Sequence, residues 1–467
     1  MKWIRVFLVA AVAVSFAFAA RALRSDATST TQVMRPLVAA DAIDPERLGE
    51  VLLTRDGVLY RFVRKGDSWS QTEPVVHPVD GWSMKQLASR VLKLEVVRIV
   101  SSGATSDATA ALHDAGLAPP LGRLELRELA QSDGSRRTIV IDLGRRSLAG
   151  RAFARVESSD AASRSANDFA VVNAGLHEFA IDREVHEFRR RELFVDLGEV
   201  DRVEFSSGDK RTELVRKGRT FRVESPVQAR ADRAQAEELV DALRRARSSG
   251  FVTDAPTDLA VYGLAPPAAM ITVWSGNTQT NVLIGDPVSI GAQDRFGLVE
   301  GTSTVLRLSA TTLATALPRV ERLVDAIASG VRAADVGALE IALTSGQRIT
   351  LRREVNKWTA TVSEQGATTE PRVLAVDSNA VERLLAALTQ TRAASLEIAA
   401  FPAQDAVGLV TFFGFGNEPI DTVRVARRQE QGATKTILEN GDGVLRVHGA
   451  IDLPLSADEL ALGVTQQ

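Results

Sequence analysis

The string Gly-Leu-Ala-Pro-Pro occurs twice in this chain, at Gly116–Pro120 and at Gly263–Pro267, 147 residues apart. A helix-incompatible string that recurs at domain-sized spacing argues for internal duplication before any single element is considered. Other echoes keep the same order. Leu-Gly-Glu-Val stands at Leu48–Val51 and Leu197–Val200, and Val-Arg-Lys-Gly at Val63–Gly66 and Val215–Gly218. Three residues past each Val-Arg-Lys-Gly comes an aromatic, Trp69 or Phe221, and five residues later a proline, Pro74 or Pro226. A third segment, "ITLRREVNKWTATVSE", carries Trp358 at the matching place, and its stop is reduced to Gly408-Leu409. Gly116, Gly263 and Gly408 are 147 and 145 residues apart, and Gly144 and Gly285 are 141 apart. With 467 residues the chain is too long for one ordinary domain. The spacing divides it into three tandem modules, 44–194, 195–328 and 329–463.

Each module has the same internal order. Two alternating runs come first, such as "RVEFSS" and "RTELVRKGRTFRV", whose period of two and β-branched residues predict strands joined by turns. A helix follows, with its start read as a capping box at Ser83 with Gln86, Asp232 with Gln235, and Asn379 with Glu382. Leu87, Val91 and Leu94 fall on one helix face, as do Leu239, Leu243 and Ala246, and Leu384 with Leu388. After a loop ending in the Gly-Leu-Ala-Pro-Pro stop, further strands come in "AMITVW", "TNVLIG", "RFGLVEG" and "TVLRLS". The stop then has a structural purpose. Glycine ends the preceding element at a backbone angle other residues avoid, leucine plugs the core, and paired prolines hold an extended entry to the next strand. Trp69, Phe221 and Trp358 are expected to point inward against Leu87, Leu239 and Leu384. The competing reading is an exposed aromatic row for stacking sugars. The expected fold class is α+β: three tandem repeats, each a largely antiparallel sheet with one packed helix, after an N-terminal apolar helix.

That N-terminus reads "MKWIRVFLVAAVAVSFAFAARALRSD". Lys2 and Arg5 form a basic head, and Val6–Ala20 is an uncharged, mostly apolar run of 15 residues. Ala17-Phe18-Ala19 fits a small-x-small cleavage pattern, so a signal peptide and an uncleaved signal anchor are both open for residues 1–24. Residues 25–43 read as a linker. The expected address is the cell envelope, on the periplasmic or extracytoplasmic side, through a single-pass inner-membrane anchor.

The middle module resembles the bacterial family named domain of unknown function 4340. The resemblance rests on "LFVDLGEVDRVEFSS", "KGRTFRVESP", "DRAQAEELVDALRRARSSGFV", "YGLAPP" and "NVLIGDP". It covers the middle module well, the first moderately and the third weakly. It implies a membrane anchor and, in some members, an accessory part of gliding-motility-type ABC transporters. It implies no catalytic residue.

Composition bounds the chemistry. There is no cysteine, which excludes disulfides, thiolate metal sites, a cysteine nucleophile and an N-terminal lipid on cysteine. With 56 basic and 59 acidic residues the formal net charge is −3, so no nucleic-acid partner is expected. His177-Glu178 and His186-Glu187 stand nine residues apart, not the four of a zinc helix, and read as a solvated strand and loop. "GDPVSIGAQDRFG" reads as a hairpin, Asn440–Gly443 as a turn, and Arg189-Arg190-Arg191 as a solvated connector. Carboxylates such as those of "AEELVDAL" lie on the polar face of a predicted helix. There is no phosphate loop, calcium loop or Gly-x-Ser-x-Gly elbow. The sequence assigns no catalytic, cofactor-binding or metal residue and no cofactor. It leads to a non-catalytic, exported, membrane-tethered repeat protein. It would be a scaffold or accessory subunit of an envelope or ABC-transporter-like assembly, touching the membrane through its N-terminal helix and protein partners through its modules. The alternative is a periplasmic ligand-binding protein with a cleft between modules.

Overall fold

The computed structural model describes residues 35–100, 106–147, 149–157, 168–355, 357–364, 370–430 and 432–462. The apolar N-terminal segment lies outside the described residues. Among the described residues no helix is long and apolar enough to cross a membrane. The chain divides into two compact units, Met1–Arg190 and Arg191–Gln467. The first holds one antiparallel sheet and the second holds two.

The first sheet contains β1 (Arg35–Pro36), β2 (Leu48–Arg55), β3 (Val58–Lys65), β4 (Ser68–Glu73), β5 (His77–Val79), β6 (Glu95–Val100), β7 (Gly122–Glu128), β8 (Thr138–Ser147), β9 (Arg151–Glu157) and β10 (Phe169–Asn173). Its order is β5-β4-β3-β2-β7-β8-β9-β10-β6-β1. The second contains β11 (Arg202–Ser207), β12 (Lys210–Lys217), β13 (Thr220–Ser225), β14 (Ala229–Arg230), β15 (Gly250–Thr253), β16 (Ala269–Ser275), β17 (Thr278–Pro287), β18 (Arg295–Val299) and β19 (Val305–Leu308). Its order is β14-β13-β12-β11-β16-β17-β18-β19-β15. The third contains β20 (Ala338–Leu343), β21 (Gln347–Arg353), β22 (Trp358–Glu364), β23 (Arg372–Leu374), β24 (Ser395–Ile398), β25 (Ala406–Phe413), β26 (Pro419–Glu430), β27 (Ala433–Glu439) and β28 (Val444–His448). Its order is β23-β22-β21-β20-β25-β26-β27-β28-β24. Apart from β1, the strand order is the same in all three sheets. The protein is mostly β, which corrects the α+β expectation: the strands far outnumber the helices, and few helices are long.

One longer helix accompanies each sheet: α1 (Gly81–Leu92), α2 (Arg233–Arg245) and α3 (Ser378–Thr389). Each connects one edge strand to the strand at the far side of the sheet, which is the other edge in the second and third sheets and the strand next to β1 in the first, so it must cross a sheet face. That crossing buries its apolar stripe. Leu87 and Val91, Leu239 and Leu243, and Leu384 and Leu388 are all buried among sheet residues. Trp69, Phe221 and Trp358 are buried in the same three cores as Leu87, Leu239 and Leu384, which removes the exposed aromatic row.

The helix starts differ from expectation at two of three places. The caps are Asp80, Asp232 and Asp377. Asp80 accepts from the amides of Trp82 and Ser83 at 3.2 Å, so Ser83 lies inside the first turn and is not its cap. Asp377 likewise accepts from the amide of Asn379 at 3.0 Å. An upstream carboxylate reaches the orphan first-turn amides and is the stronger acceptor for them. Each cap's own amide donates to the carbonyl of a buried residue at the module's exit. The pairs are Asp80 to Phe188 at 2.9 Å, Asp232 to Leu323 at 2.8 Å and Asp377 to Leu460 at 2.9 Å.

The Gly-Leu-Ala-Pro-Pro stop brings the chain from the far side of the sheet, at β6 beside β1 or at the edge strand β15, back to the sheet centre at β7 or β16. Gly116 and Gly263 have φ of 68° and 64°. Leu117 and Leu264 are buried and each bridges its own stop, to Pro120 and Pro267. The turn rests on the sheet where Gly144 and Gly285 stand. A Cβ on Gly144 would lie 2.2 Å from the Ala115 carbonyl oxygen, and one on Gly285 2.1 Å from that of Tyr262. Gly285→Ala should therefore destabilise by about 1–3 kcal/mol, because backbone must move to admit the methyl group. Gly250→Ala, where a Cβ meets open space, should stay within about 0.5 kcal/mol. Equal denaturation midpoints for the two variants would refute the packing role.

Three sequence expectations change here. Gly408 is not a third stop, for it lies inside β25 opposite Leu343, and the turn before that strand is Ala403–Asp405. Leu48–Val51 begins β2, whereas Leu197–Val200 precedes β11, so that echo is out of register. Residues 25–43 are not a free linker throughout. Arg35 and Pro36 pair with Val96 and Glu95, and Leu37, Val38 and Ile43 are buried in the first core.

The Val-Arg-Lys-Gly echo is in register, and its arginine has a repeated structural role. Arg64 donates to the Glu46 carbonyl at 2.7 Å, Arg216 to that of Val200 at 2.8 Å, and Arg353 to that of Ala333 at 2.9 Å. Each thus fastens the segment that enters its sheet. Arg216 and Arg353 also lie over the Phe221 and Trp358 rings, 4.4 and 4.9 Å from the centroids.

Candidate functional site

In the Arg191–Gln467 unit the second sheet's exit and the third sheet's entry are separated by Asp325 and Ala326. Val324 bridges Ala231 just ahead of α2, and Ile327 bridges Arg392 just after α3. The connector is held from both sheets. Its Asp325 amide donates to the Arg230 carbonyl at 2.9 Å, and the Arg230 guanidinium lies 3.2 Å from the Asp325 carboxylate. Arg230 also donates to the Ile327 carbonyl at 2.8 Å.

From the other side comes Arg446, on β28. Its side chain is fully buried. Nε donates to the Asp325 carbonyl at 3.0 Å, and Nη1 donates to the Val444 carbonyl at 3.1 Å. Nη1 and Nη2 also make a two-point contact with Asp442 at 3.1 and 2.7 Å. A buried guanidinium is tolerated when its donors are matched and its charge is paired, and both conditions hold here. The Asn440–Gly443 turn is where it was expected, between β27 and β28, and its Asp442 supplies the counter-charge. Val444 packs in the second sheet's core, with partly buried Leu396 against it, so the two sheets share apolar packing around the polar lock. Burial, with Arg446 nearby, holds the Arg230 guanidinium below its ordinary value against the pull of Asp325.

A second tie is the cap of α2. Asp232 accepts from Arg392 at 2.6 Å and from the Gln235 amide at 3.1 Å. Burial alone would raise the Asp232 carboxyl, but the Arg392 and Gln235 hydrogen bonds outweigh it and hold the group below its usual range.

Beside this lock an open cleft of about 470 Å³ lies between the two sheets' elements. Gln235, Arg319, Glu321 and Arg322 come from the second sheet's part, and Arg392 and Ser395 from the third's. Among the described residues no tryptophan lines it. Arg322 donates to the Gln235 amide oxygen at 3.1 Å.

The histidines do not converge. His177 is buried rather than solvated: its Nε2 donates to the Phe153 carbonyl at 2.9 Å, and burial lowers its pKa. His448 is buried on β28, and burial with the neighbouring Arg446 lowers its pKa as well. Among the described residues no group of three or more histidine and carboxylate side chains is placed to hold a metal. Arg189 is also not a solvated connector. It is buried and donates to Gln71 at 3.0 Å. His177 and Arg189 are each held in their buried places by a carbonyl or amide oxygen remote in sequence.

Residues 222–409 match the family model described as Domain of unknown function (DUF4340), which establishes the resemblance for that segment. The match begins in β13 and ends in β25, so it includes the connector and the cleft and not Arg446. No curated protein matches the chain.

Proposed function

We propose that this chain is an exported, membrane-tethered scaffold or accessory subunit of an envelope assembly, of the ABC-transporter-associated kind, and that its three sheets are copies of one repeat. The observation that carries this reading is the locked junction. A scaffold must present surfaces at fixed positions, and the Arg446–Asp325–Arg230 contacts fix the third sheet on the second. Exposed apolar side chains support a protein partner: Val355 and Phe415, 98% and 71% exposed, lie close together on the third sheet's loops.

Two measurements test this. Fractionation of cells should place the full-length protein in the membrane, and deletion of residues 1–24 should release it. A full-length protein soluble in the cytoplasm would contradict the tether. A photo-crosslinking residue at position 415 should trap one dominant envelope protein in living cells. A crosslinker there that traps nothing, at normal expression, would contradict the partner.

A further inference from the structure

We propose that the cleft beside the junction is a binding site for a small polyanion, a molecule bearing phosphate groups or clustered carboxylates. Three guanidiniums line the cleft, on Arg319, Arg322 and Arg392, against one carboxylate, Glu321. Arg392 is partly compensated by Asp232. Among the described residues the Arg322 guanidinium meets only the neutral Gln235 amide oxygen, in a hydrogen bond at 3.1 Å. Arg319 is exposed, and its guanidinium takes part in no hydrogen bond or ion pair among the described residues. The cleft thus has more positive charge than its own side chains neutralise.

The location adds to this. Arg319 and Arg322 belong to the second sheet's exit, and Arg392 to the third sheet's entry clasp. A ligand reaching both walls would contact two elements that the Arg446 lock already fixes relative to each other. Such preorganisation lowers the ordering cost of binding. Guanidinium forks match phosphate and carboxylate oxygens at two points, and a polyanion can use more than one fork at once. The volume, about 470 Å³, suits a small molecule and is within the usual range of ligand pockets.

The test is isothermal titration of the full-length protein, in mild detergent, with pyrophosphate and with citrate, and with glucose as the uncharged comparison. Binding of either anion, and none of glucose, is expected. Pyrophosphate alone would assign phosphate, citrate alone would assign carboxylate, and both would assign a general polyanion site. The double change Arg319→Gln with Arg322→Gln should weaken binding at least tenfold. It leaves the Arg392–Asp232 clasp in place, so folding should be unchanged by circular dichroism. Arg219→Gln, on the exposed β12–β13 turn, should leave affinity unchanged. The proposal fails if neither anion binds, or if the double variant binds as tightly as the parent.

Discussion

Replacing Arg446 by methionine is expected to destabilise the Arg191–Gln467 unit by about 3–5 kcal/mol. The reason is what the change leaves behind. Asp442 keeps its charge in a site with 7% side-chain exposure, and the Asp325 carbonyl loses the Arg446 donor. Removing one partner of a buried pair costs far more than removing both, because the survivor is desolvated and unpaired. The double change Arg446→Met with Asp442→Leu should therefore recover part of the loss. Chemical denaturation followed by tryptophan fluorescence reads this directly. Trp274 belongs to the second sheet and Trp358 to the third, so versions that keep only one of them as the fluorescent tryptophan report that side of the junction. In the parent the two sheets should unfold together. In Arg446→Met the transition should move to lower denaturant or split in two. A midpoint shift worth less than about 0.5 kcal/mol, the size of an ordinary surface change, would show that the apolar contacts of Val444 and Leu396 hold the sheets without the polar lock.

This lock was not legible in the sequence, and the physical reason is distance along the chain. Arg446 and Asp325 are 121 residues apart. No local period marks an arginine that will be buried, since composition treats it as surface charge. The Asn-Gly-Asp-Gly string was legible as a turn because glycine and asparagine act locally on backbone angles. What its aspartate would bind was not. The stops at Gly116 and Gly263 were legible for the same local reason, and so were the inward aromatics, through period-two alternation. The misplaced helix caps have another cause. Asp80 and Asp377 stand one turn or less before Ser83 and Asn379, and several polar residues in one stretch can each look like a cap until the strand before the helix fixes its first turn. The Leu-Gly-Glu-Val echo shows the limit of string matching. Identical letters fall inside β2 in one module and ahead of β11 in the next, whereas the in-register echo is the one that carries a shared contact, the Arg64, Arg216 and Arg353 clamp. The cleft was legible only as a possibility between modules, for its arginines come from segments 70 residues apart that meet only in the fold.

Trp358→Ala should cost about 3–5 kcal/mol, the range for truncating a large buried ring. Trp358 is 5% exposed and packs in the third core with Leu384. Three separate interactions end with the ring. Its core contacts go and leave a cavity, its Nε1 no longer donates to Glu382 at 3.1 Å, and Arg353 loses the face it covers at 4.9 Å. Arg353 keeps its hydrogen bond to the Ala333 carbonyl, so the entry segment should stay fastened. Trp358→Phe separates the contributions. It keeps most of the volume and the ring face but has no donor, so it should cost much less than alanine, about 1 kcal/mol for the lost hydrogen bond plus a small packing term. The matching change in the second core, Phe221→Ala, should cost a similar amount because the ring is equally enclosed at 6% exposure and also carries an arginine, Arg216. Urea midpoints at constant slope give these differences. If Trp358→Ala and Phe221→Ala both left the midpoint where it was, the aromatics would not be core residues, and a surface role for them would have to be reconsidered.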